Sequence, residues 1–107
     1  MKGNENAAER LTELKGETKN VIDILSEIRH IHASTWMKRV RQELGKLRKQ
    51  PGSVPVSVQV ECLLSKLGET LDAIKAAMKI SSSDKLADAH EYVSGVLNKF
   101  SDGILGH

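Results

Sequence analysis

Three observations predict an all-α chain of four to five helices. Apolar residues recur at close to helical spacing along most of the 107 residues. Trp36, Tyr92 and Phe100 are the only aromatics, so aliphatic side chains must fill the core, which favours helices over a β-sandwich. The strongest breaker clusters, Gln50-Pro51-Gly52-Ser53 and Ser81-Ser82-Ser83, fall between the periodic stretches.

In chain order, Met1 to Asn6 is small and polar and is expected to fray. From Ala7 onward a stripe of Leu11, Leu14, Val21, Ile22, Leu25, Ile28 and Ile31 reads as an amphipathic helix. Gly16 and Thr18 weaken its middle, so either one long helix or two meeting near Gly16 fits; one is preferred. Ala33, Ser34 and Thr35 break the pattern, with Ser34 or Thr35 able to cap a second helix over 35–49. That helix turns Met37, Val40, Leu44 and Leu47 inward and places Lys38, Arg39, Arg41, Lys46, Arg48 and Lys49 outside with one acid, Glu43.

Pro55 suits a helix entrance and Ser57 an N-cap. The apolar run Val58, Val60, Cys62, Leu63 and Leu64 then predicts a short helix over 57–66, ending at a corner on Gly68. The alternation SVPVSVQV (53–60) is too short and too proline-marked for a strand to be preferred. A fourth helix over 68–78 would bury Leu67, Leu71, Ile74 and Met78. A fifth, over 84–102, would bury Leu86, Ala89, Val93, Val96, Leu97 and Phe100.

One domain of this length buries roughly two-thirds of its unfolded surface. The 39% apolar and 28% charged fractions are those of an ordinary globular chain. A net charge of +2 and a pI near 8.8 make it only mildly basic, less than a dedicated nucleic-acid binder carries. A single cysteine, Cys62, excludes an internal disulfide framework and fits a reducing compartment. Neither an apolar leader region nor a membrane-spanning run is evident, so no membrane association is expected.

Signs of catalysis are lacking. His30 and His32 fall on different faces of any helix, and no CxxC or HxxxH spacing accompanies them. Cys62 reads as a buried small hydrophobe rather than a nucleophile paired with His90. Carboxylates such as Glu9, Glu13 and Glu17 are spaced as solvated helix faces are, and no phosphate-cradling glycine loop occurs. The chain is therefore expected to be neither an enzyme nor a cofactor carrier. The cations of the second helix, Lys38, Arg39, Arg41, Lys46, Arg48 and Lys49, are the candidate phosphate contacts of a nucleic-acid-binding alternative. Trp36 reads first as a half-buried packing anchor, and otherwise as a recognition residue that stacks on a base.

Four stretches carry a family resemblance. They are Leu44 with Leu47, Pro55-Val56-Ser57, Ser65-Lys66-Leu67-Gly68, and Leu71-Asp72-Ala73-Ile74-Lys75, followed near the end by Val96-Leu97-Asn98-Lys99-Phe100. In order and spacing they resemble the N-terminal domain family of transcription elongation factor S-II, including its integrase-binding type. The resemblance covers roughly 24–105, and Ala76-Ala77 departs from a basic pair common in the family. It implies a compact right-handed bundle of four to five helices over 21–105, preceded by a partly helical extension (1–20) and followed by a tail (106–107).

It also implies a nuclear, monomeric docking module that takes disordered, partly acidic peptide motifs from transcription and chromatin proteins. By position, its ligands would meet the loops after the first and fourth helices. Those are Ile31, His32, Ser34, Trp36 and Lys38 on one side, and Ile80, Ser82, Asp84 and Lys85 on the other. Ile31 and Ile80 would form an apolar floor, with Lys38 and Lys85 for acidic flanks. The family's aromatic in the second loop has no counterpart, since Ile80 or a serine stands there.

Overall fold

Among the described residues of the computed structural model four helices follow one another: α1 (Lys2–Ser26), α2 (Ile31–Arg48), α3 (Val56–Ile80) and α4 (Asp84–Ser101). The structure describes residues 2–28, 31–80 and 83–101, with side chains over 7–28, 35–80 and 83–100. No strand occurs among the described residues, and 53–60 divides between a turn and the first turns of α3. Connections of three to seven residues allow each helix only to reverse onto its predecessor. The ion pair Lys85–Glu27 and the bond from Arg10 to the Phe100 carbonyl show α4 running antiparallel to α1. α1 and α3 are therefore parallel and in contact, and α2 and α4 flank them on opposite sides without touching among the described residues. The result is a flattened array with extents of 48 × 30 × 16 Å.

Its core is almost wholly aliphatic. Leu14 and Leu25 from α1, Met37 and Leu44 from α2, Leu63, Leu67 and Ile74 from α3, and Leu86 and Val93 from α4 are all fully buried. Leu11 belongs to the same core cluster, so α1 packs with the bundle from its third turn. Thr18 and Thr70 are buried too, and each hydroxyl donates to the carbonyl four residues earlier, Leu14 and Lys66, at 2.7 Å. This is how a hydroxyl is accommodated in a helical core without an unmet donor.

The helix boundaries differ from the sequence expectation in four places: the start of α1, the α1–α2 junction, the start of α3 and the middle of α3. α1 starts at Lys2, where fraying was expected, and it runs unbroken through Gly16. It ends at Ser26, where Glu27 and Ile28 donate to the carbonyls of Ile24 and Leu25 at 3.1 Å and tighten the last turn. α2 then begins at Ile31, so Ala33, Ser34 and Thr35 are helical rather than a break. At α3 the Pro55 carbonyl accepts from the Gln59 amide at 3.0 Å, which puts the cap at Pro55 and Ser57 inside the helix.

The fourth difference is the largest. α3 is one helix of 25 residues, and no corner forms at Gly68. Leu63, Leu67, Thr70, Ile74 and Ala77 stay in phase across Gly68, and all are buried. A glycine costs a helix about 1 kcal/mol, which the burial of one leucine outweighs. Leu67 and Ile74 are buried as expected, whereas Leu71 is only half-buried and Met78 is 38% exposed. Nothing lies within 4 Å of where a Gly68 Cβ would stand. Gly68→Ala should therefore raise the unfolding free energy by about 0.5–1 kcal/mol, read by thermal melting. A loss of stability in that variant would argue for a bend at this residue.

A polar cluster fastens α4 to α1. The Tyr92 hydroxyl donates to the Glu17 carboxylate, the Asn20 amide donates to that hydroxyl at 2.9 Å, and Lys99 reaches Glu13 and Glu17 at 3.5 Å. The Tyr92 bond, helped by Lys99, holds Glu17 below the ordinary carboxylate range. Burial first, and then Glu17, pushes the Tyr92 phenol up. A depressed folded pKa stabilises the fold above the ordinary glutamate value of 4.5, and that contribution is lost as pH falls through the folded value. Tyr92→Phe should thus cost about 1–2 kcal/mol near neutral pH, with the deficit narrowing in acid below 4.5. A deficit that stays constant in acid would assign Tyr92 a packing role alone.

Candidate peptide-docking site

The antiparallel order of the helices carries both predicted binding loops to one end of the bundle. The end of α1 and the start of α4 lie side by side there, tied by Lys85 Nζ to Glu27 Oε1 at 3.0 Å. Ile31, His32 and Ser34 belong to the first turn of α2, but their side chains lie outside the described residues, as does Ser82 altogether. Asp84 opens α4, where an acid complements the helix dipole, and the Ser83 carbonyl accepts from the Ala87 amide at 3.1 Å.

Three large apolar side chains are left uncovered at this end, Trp36 at 39%, Met78 at 38% and Ile80 at 70%. Trp36 is therefore only partly a packing anchor. It forms one wall of a groove between α2 and α3 of about 300 Å³, whose floor comes from Val40, Thr70, Ala73 and Ala76. The groove exists because α3 presents short side chains where α2 presents an indole. Ile80 lies one helical turn beyond Ala76, on the same face of α3, and extends the apolar strip towards the loop end.

At the other end the groove is closed by charge. Lys66 stands between Glu43 and Glu69, 2.9 Å from each. Lys66 holds Glu43 below the usual carboxylate range, and Glu43, then Glu69, raises the Lys66 ammonium. Arg39 and Lys66 are the two cations that line the groove, against the three acids Glu43, Glu69 and Asp72. Both cations expected to serve acidic flanks are placed otherwise. Lys85 is engaged by Glu27, and Lys38 is exposed but stands about 100° round the helix from Arg39, away from the groove.

The basic set of α2 is also divided. Lys38, Arg39, Lys46 and Lys49 are exposed, but Arg41 and Arg48 are half-buried on the α1 side rather than outside. Arg48 Nε donates to the Lys15 carbonyl at 2.8 Å, and Arg41 Nε is buried without a partner among the described residues. Among those residues no three His, Cys, Asp or Glu side chains group as metal ligands, and Cys62 is free and half-buried.

Of the groove residues the sequence reading placed only Trp36 in this site; Arg39, Val40, Thr70, Ala73 and Ala76 are among those it did not. The available signal was the small-residue run Ala73, Ala76 and Ala77, which marks a shallow face wherever it meets a bulky neighbour. No helix among the described residues is long and apolar enough to cross a membrane. No family model, no curated protein and no solved structure gives a significant match to the chain.

Proposed function

We propose that this chain is a non-catalytic docking module that captures short linear motifs from disordered partners in the groove between α2 and α3. The carrying observation is the groove lined by Trp36, Ala73 and Ala76, with Ile80 exposed one turn further along the same face of α3. Isolated exposed apolar residues are ordinary on a protein surface; a strip that lines a groove is a feature of recognition sites.

A large apolar side chain of the motif would seat beside Trp36, with Arg39 attracting an acidic neighbour. Ordering of the peptide opposes binding, so affinity is expected near micromolar, about −8 kcal/mol. The elongation-factor resemblance supports a setting in nuclear transcription and chromatin complexes, as a monomer with the right-handed bundle of that family. Ser65 to Gly68 is helical here, so that setting rests on the remaining matched stretches.

An amide-resolved NMR titration at two salt concentrations tests the proposal. The probe is an acidic peptide carrying an aromatic-x-Gly-Phe motif. Shifts clustered at Trp36, Ala73, Ala76 and Ile80 that survive the higher salt are expected. Shifts elsewhere, or none, would remove the groove from consideration.

A further inference from the structure

Six cations and one acid fall between Lys38 and Lys49, a net of +5 against +2 for the whole chain, so all other residues together are net −3. Of these cations, Lys38, Lys46 and Lys49 lie on the outer edge of a flat molecule, because α2 flanks the α1–α3 pair opposite α4, whereas Arg39 lines the groove and Arg41 and Arg48 are half-buried. The single acid, Glu43, is turned towards α3 and engaged by Lys66. Lys38, Gln42, Lys46 and Lys49 follow one another along the outward side of α2. The stripe they form is about 17 Å long. Gly45 opens a shallow depression between Gln42, Lys46 and Lys49, with nothing within 4 Å of where its Cβ would stand.

We infer that this outer face of α2 is a surface for the phosphate backbone of double-stranded nucleic acid. The charge distribution selects that partner. The stripe bears no exposed apolar side chain, since Trp36 faces the α3 side, so whatever binds is held by charge and hydrogen bonds. An acidic peptide without an anchor would have to be ordered with little return. A duplex is already stiff and carries about one charge per 1.7 Å, enough to meet every cation on the stripe. Without an aromatic platform, single strands gain nothing from stacking. Binding is sequence-independent, because nothing on the stripe is arranged to read base edges.

The experiment is fluorescence anisotropy with a short mixed-sequence DNA duplex. With three phosphates neutralised, one for each cation of the stripe, affinity should fall about 40-fold between ~50 and ~200 mM salt. Lys46→Glu/Lys49→Glu should remove binding at the higher salt, and Lys46→Gln/Lys49→Gln should lower the logarithmic salt slope by about 1.8. Lys75→Glu/Lys79→Glu alters charge equally on exposed α3 positions and should retain most of the affinity. Equal losses in both glutamate variants would reduce the effect to net charge and overturn the assignment. Binding of poly-glutamate with no binding of duplex would overturn it in favour of an acidic polypeptide.

Discussion

Leu67→Ala is expected to destabilise the fold by about 2–5 kcal/mol, a large share of the roughly 5–15 kcal/mol that holds a domain of this kind together. Leu67 is fully buried at the middle of α3, which, like α1, contacts all three other helices. Removing its isobutyl group leaves a cavity that four packed helices cannot close by moving one loop. Met78→Ala, by contrast, truncates a side chain that is 38% exposed and should cost well under half as much. Denaturant melts of both variants give the comparison, with the dependence on denaturant unchanged if the two-state transition is kept. A Leu67→Ala loss no greater than that of Met78→Ala would contradict a continuous α3 and restore a corner at Gly68.

The core was largely legible because its periodicity is strong. Leu11, Leu14, Val21 and Leu25 in α1, and Leu86, Ala89, Val93, Val96 and Phe100 in α4, were assigned inward from spacing alone and are buried. What was not legible is where helices continue. Gly68, Ser34 and Thr35 are poor helix residues by local preference, yet all three lie within helices. Local preference is worth at most about 1 kcal/mol per residue, and packing in phase with a buried stripe exceeds it. The reverse also happened: the chain leaves α1 after Ser26 with neither glycine nor proline to announce it. There the signal is tertiary, the burial of Ile28 at the turn.

The site shows the same division. That two particular loops share one end follows from counting antiparallel helices, and the union of two expected helices into α3 leaves that end unchanged. Which cation faces the groove does not follow from counting. Lys38 and Arg39 are adjacent in sequence and about 100° apart on the helix, so the rotation of α2 against α3 decides between them. That rotation is set by the sizes of Trp36, Ala73 and Ala76 in contact, which a linear pattern does not encode.

Ile80→Ser should weaken capture of the peptide by about 30-fold or more, the effect of removing a binding hot spot worth ~2 kcal/mol. The same change should leave stability within about 0.5 kcal/mol, because Ile80 is the last residue of α3 and is 70% exposed. That separation is what makes it the decisive variant. Trp36→Ala would report on the same strip, but part of the indole is buried and its loss would mix folding with binding. Val58→Ser provides the control, since Val58 is 40% exposed near the opposite end of α3 and lines no part of the groove. If any exposed aliphatic on α3 served as well, the two serine variants would lose affinity together, and the peptide would be adhering to general surface. If Ile80→Ser bound as tightly as the parent, the strip would end at Ala76, and the loop end of the bundle would have no part in recognition. Only a loss confined to Ile80→Ser, with melting unchanged, is consistent with an apolar anchor seated along α3 beside the Trp36 indole.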